Sequence, residues 1–146
     1  VGNSILPVPG YFILSESRRS MEPNQIISGV SNVKEASLVL LPQRIVIPHA
    51  DKANSSTNGW LSLRFDKTVF CYTRAVGALE FTLTKQKVPG SKYGCEARDE
   101  DSDLLNTQVF VNKESQIEFT INSPLRPTNQ VFTMSLVLSA MQFRQQ

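Results

Sequence analysis

Four stretches of this chain place an apolar side chain on every second residue. Leu61, Leu63 and Phe65 alternate with Ser62 and Arg64, and Leu79, Phe81 and Leu83 with Glu80, Thr82 and Thr84. Ile117, Phe119 and Ile121 alternate with Glu118 and Thr120. Phe132, Met134, Leu136 and Leu138 share one face, with Thr133, Ser135 and Ser139 on the other. Successive side chains of an extended strand point to opposite faces, so this period seats one face on a core and leaves the other in water. That is the signature of antiparallel sheets.

Shorter strand-like runs occupy residues 11–14, 26–30, 37–41, 44–47, 68–75 and 107–112. With the alternating stretches they take up about two-fifths of the chain, well above the usual strand share. Helical signals are weak. Ser15 to Glu22 could make a turn or two before Pro23, and Ala97 to Leu105 another, with acids in its first turn. The connections at Asp66-Lys67, Val76-Gly77 and Lys113 to Ser115 have hairpin lengths. Pro42 interrupts the 37–47 stretch, as expected at a bulge, an edge or a strand that changes sheet.

The expected fold is all-β: an antiparallel two-sheet sandwich, jelly-roll-like or immunoglobulin-like. Trp60 precedes both cysteines, unlike the tryptophan of an antibody domain. A length of 146 residues suits one domain, placed at 11–146. Residues 1–10, with Pro7, Pro9 and Gly10, read as an extended lead-in from a preceding domain. Three polar loops stand out, at 48–59, 85–106 and 122–130. A rigid sandwich with long loops is a scaffold for display.

Charge excludes little. The net charge of +2 is too small to predict nucleic-acid binding, and no basic stripe with interleaved aromatics occurs. The run from Glu96 to Asp103 carries −4, so the remainder sums to +6, and Lys85, Lys87 and Lys92 precede the acids. No stretch approaches 18 uninterrupted apolar residues, which excludes a membrane-spanning helix. For Cys71 and Cys95 two readings stay open: a bridge, or burial of Cys71 as a small apolar side chain, the simpler of the two. The redox compartment stays open with them.

No catalytic constellation emerges. The single histidine, His49, lies beside Asp51 in a polar loop, without a GxSxG nucleophile elbow to complete a triad. Glu80 and Glu118 fall on solvent-facing strand positions, where carboxylates solubilise. One histidine and two distant cysteines do not make a structural zinc site. Asp99, Asp101 and Asp103 have the spacing that opens an EF-hand loop, but Leu104 and Phe110 replace its glycine and its bidentate glutamate. Calcium is therefore the one cofactor entertained, against a solvated acidic loop. Asn54-Ser55-Ser56 is a glycosylation sequon that chance alone would supply. Trp60 follows the first polar loop and Tyr93 lies in the second. With Asn54, Ser55 and Asn58 they could stack on and hydrogen-bond a sugar or receptor, against the plainer reading that Trp60 packs at the sandwich end.

A β-rich, loop-rich, weakly charged chain entered through Pro7, Pro9 and Gly10 resembles the protruding or spike domain of small non-enveloped RNA virus capsid proteins, of nodavirus, tetravirus-like or sinaivirus type. The resemblance spans the chain in style and rests on no diagnostic motif. It implies a non-enzymatic domain on the virion surface. Such a domain self-associates as a dimer or trimer, presents loops to a host receptor or glycan, and contacts neither genome nor membrane interior. The alternative is a carbohydrate-binding or lectin-like module of a secreted, extracellular protein.

Overall fold

The computed structural model describes residues 4–18, 26–46, 50–51, 59–75, 78, 80–87, 95, 101–103, 108–122, 126–127 and 132–145. Every regular element among them is a strand: β1 (Ile5–Arg18), β2 (Ile26–Asn32), β3 (Ser37–Leu40), β4 (Arg44–Val46), β5 (Ala50–Asp51), β6 (Gly59–Phe65), β7 (Thr68–Arg74), β8 (Glu80–Lys87), β9 (Asp101–Asp103), β10 (Gln108–Val111), β11 (Gln116–Asn122), β12 (Arg126–Pro127) and β13 (Phe132–Gln145). They build two antiparallel sheets, one of them curled, in a β-sandwich. The smaller sheet runs β1-β13-β3-β10 and the larger β2-β11-β6-β7-β8-β4, with β9 also on β8. β5 and β12 form a separate two-stranded pair.

Alternation sets the core. Leu61, Leu63, Phe65, Phe81, Leu83, Ile117, Phe119 and Ile121 of the larger sheet are buried against Phe12, Leu14, Val39, Val111, Leu136 and Leu138 of the smaller. Pro42 stands where the chain leaves β3 in one sheet for β4 in the other, a change of sheet. Its carbonyl accepts a hydrogen bond from the buried Tyr72 hydroxyl at 2.7 Å. The β6–β7 hairpin turns at Asp66-Lys67, with Asp66 at φ 56° and the Asp66 carbonyl accepting from Arg64 Nη1 at 2.9 Å.

Several sequence expectations change. Ser15 to Arg18 extend β1 rather than starting a helix, and Asp101 to Asp103 form β9 rather than helix. Partners explain both: β1 runs the full length of β13, and β9 adds to the edge of β8. Neither segment had a helical apolar stripe to bury. Residues 113–115 do not close a hairpin. They carry the chain from β10 in the smaller sheet to β11 in the larger, with Glu114 at φ 74° and its N–H bonded to the Val33 carbonyl at 2.7 Å. The three polar loops contain regular pieces: β5 in the first, Lys85–Lys87 and β9 in the second, β12 in the third. Within the expected lead-in, residues 5–10 are extended and paired with β13, Ile5 opposite Gln145 and Gly10 opposite Ala140.

The cysteines resolve as a bridge. Cys71 and Cys95 are joined by a disulfide, their Cα atoms 5.7 Å apart. Burial of Cys71 is correct as well, but its place is the outer face of the larger sheet, not the core. The run Val69-Phe70-Cys71-Tyr72 is buried on both sides of the strand. Phe70 and Tyr72 face inward; Val69 and Cys71 face outward, beside the buried Ser62 and Thr120. Cys95 is fastened over this face by the bridge, its Sγ 3.8 Å from the Leu61 carbonyl. Ser62 and Thr120, placed on a solvent-facing side by alternation, are buried.

Candidate functional site: an uncovered apolar sheet face

The two sheets differ sharply on their outer faces. On the larger sheet that face holds charge. Arg64 Nη2 donates to Glu118 Oε2 at 2.6 Å, with the two side chains 25% and 15% exposed. Glu118 is thus a partly buried ion-pair member rather than a free solubilising carboxylate. Thr120 Oγ1 bridges the Ser28 hydroxyl at 3.1 Å and Glu118 Oε1 at 3.4 Å. Arg64 Nε, among the described residues, is buried without a hydrogen-bond partner. Glu80 stays well exposed and lies 3.7 Å from Arg44, a loose surface pair.

On the smaller sheet the outer face is apolar from edge to edge. β1 contributes Ile5, Pro7, Pro9, Tyr11 and Ile13; β13 contributes Val137, Ser139, Met141, Phe143 and Gln145. β3 adds Leu38 and Leu40, and β10 adds Gln108 and Phe110. None of these residues is charged. Seven large side chains among them are open to solvent, from Met141 at 37% to Ile5 at 68%, with Phe110 at 55% and Val137 at 57%. Phe110 and Phe143 rings tilt against each other at 6.2 Å, bridging outer strand and middle strand. At roughly 100 Å² for each half-exposed large side chain, the patch exposes about 700 Å², above the 300–600 Å² usual for the largest patch on a monomer.

A cleft of about 510 Å³ opens beside β1 and β2, lined by Tyr11, Asn32, Lys34, Glu35, Gln142 and Arg144 among others. It lies where inward-facing residues turn polar. Gln142 Oε1 accepts from Arg144 Nη2 at 2.6 Å, and the Gln142 side chain crosses over Gly10, where a Cβ would collide with it. Charges of both signs line the cleft, without a paired nucleophile and base.

The residues singled out from sequence distribute as follows. Trp60 is the second residue of β6, half-buried on the outer side of the larger sheet, with Thr73 and Asn122 as its strand neighbours. Asn54, Ser55, Asn58, Tyr93, Asp99 and His49 lie outside the described residues. Asp101 and Asp103 belong to β9, and the register sets them opposite Lys87 and Lys85. The basic and acidic stretches that follow one another in the sequence thus come to lie on neighbouring strands. Sequence reasoning missed the apolar face. Its signal was the non-alternating runs at 11–14 and 37–41, which put apolar side chains on both sides of a strand.

Comparison of the chain with protein-family models, with curated proteins and with solved structures found no match.

Proposed function

We propose that this chain is a non-enzymatic structural and attachment domain that works in an oligomer on a particle surface, as the resemblance to capsid protruding domains implies. The observation that carries the reading is the inequality of the two outer faces: one charged and covered in its middle, the other bare and apolar. Water tolerates about 700 Å² of contiguous apolar surface poorly, so such a face has a partner in the working assembly. Attachment falls to the polar loops, and many copies would turn a weak loop contact into firm binding. The physical division of labour is simple: the disulfide-tied sandwich supplies rigidity, one sheet supplies assembly, and the loops supply recognition.

The test is light scattering coupled to size exclusion, followed by attachment of particles or multimerised domain to cells. The reading expects a discrete oligomer and attachment lost on scrambling residues 52–58. A persistent monomer without attachment would reject it.

The half-burial of Trp60 beside that loop favours one second reading, a carbohydrate-binding module. It is the sole tryptophan, so its fluorescence reports directly on a nearby ligand. A glycan that shifts Trp60 emission on a monomeric chain would select this reading instead.

A further inference from the structure

We propose that the bare face of β1-β13-β3-β10 is covered by the same face of a second copy, as a two-fold dimer. This deepens the functional proposal and rests on its claim of self-association; what it adds is the surface and the partner. Three observations carry it. The exposed apolar area, about 700 Å² on one copy, matches the roughly 800 Å² per partner of a standard stable interface. The face carries no charge, so bringing it against itself opposes no like charges and buries no unpaired ion. It is also a sheet surface of alternating large side chains, which packs on another sheet in the aligned manner of a sandwich, about 10 Å away.

A two-fold contact is self-complementary: whatever one copy offers, the other offers in return. Met141, on the middle strand between Pro9 and Leu38, lies closest to the centre of the face. Phe110 and Tyr11 stand toward opposite margins, on β10 and β1. Aromatic rings of this kind anchor interfaces when they are desolvated on contact.

The experiment measures the dimer constant of the full chain by sedimentation equilibrium, for the native sequence, for Phe110→Lys and for Val46→Lys. Val46 is as exposed as Phe110 but lies on β4 of the larger sheet, so it controls for an added surface charge. Near-ultraviolet circular dichroism checks that each variant keeps its packing. Phe110→Lys should weaken the dimer about 100-fold or more, and Val46→Lys should leave it unchanged. Met141→Lys and Met141→Asp should each be monomeric, and their mixture should dimerise again through opposite charges.

A native chain that stays monomeric at about 0.1 mM overturns both this inference and the assembly reading. A native dimer that resists Phe110→Lys but falls to Val46→Lys overturns the face and leaves the assembly reading standing. A mixture of the two Met141 variants that stays monomeric overturns the two-fold arrangement.

Discussion

The Cys71–Cys95 bridge ties Cys95 to the outer face of a strand of the larger sheet, across a sequence separation of 24 residues. Cutting it returns to the unfolded chain the freedom that a closed loop denies. For a loop of that length the entropy is about 11.6 cal/mol/K, or ~3.5 kcal/mol at 25 °C. Cys95→Ser is the cleaner variant, because Cys71 then keeps filling its buried place among Val69, Ser62 and Thr120. With a urea slope of about 2 kcal/mol/M, the midpoint should fall by roughly 1.7 M. The thermal midpoint should fall by about 10 °C, at close to 3 °C per kcal/mol for a chain this size. Unfolded native protein should present no titratable thiol until reductant is added, and reduction should then move the urea midpoint to that of Cys95→Ser. Two free thiols in unreduced protein, or a midpoint unmoved by Cys95→Ser, would refute the account of how the outer face is held.

Three other outcomes are expected. Burial holds the Tyr72 phenol above its ordinary value, while an unfolded tyrosine ionises near 10. The folded state therefore keeps a proton that the unfolded state loses. Its contribution is complete below about pH 10 and is lost as pH climbs above it, so urea midpoints taken from pH 8 to 11 should fall, less steeply in Tyr72→Phe. Glu118→Ala strands the partly buried Arg64 guanidinium and should cost about 2 kcal/mol by urea melts, most of it recovered in the double variant with Arg64→Met. Glu114 holds a left-handed backbone at φ 74°, so Glu114→Gly should raise stability by up to about 1 kcal/mol, against the usual sign for a glycine substitution.

Period-two alternation carried the fold. The inward sides of β6, β8 and β11 could be named from sequence, because a single-residue slip would have put Leu63, Phe81 or Phe119 into water. Where alternation failed, residue order alone did not separate two opposite arrangements. Val69-Phe70-Cys71-Tyr72 and Tyr11-Phe12-Ile13-Leu14 look alike as apolar runs, yet Val69 and Cys71 are covered while Tyr11 and Ile13 are bare. Whether a second face is covered depends on residues distant in sequence, here Cys95, bridged to Cys71. The bridge shared that difficulty, although parity gave a hint: Cys71 faces away from its inward neighbours Phe70 and Tyr72. Residues 113–115 misled because a short polar connection reads the same whether it folds back or crosses to the other sheet.

Pro7 and Pro9 have a consequence for how association ends. They lie in β1, which pairs with β13 on one side and, among the described residues, has no strand on the other. Long open borders of this kind invite the next chain to add on, and the one after it, without limit. Two missing amide hydrogens of the same parity interrupt that row of donors. Growth by strand addition is thereby blocked, while a meeting of flat surfaces stays permitted and consumes the surface it uses. Any assembly through this sheet would then close at a small number of copies rather than lengthen into a fibre.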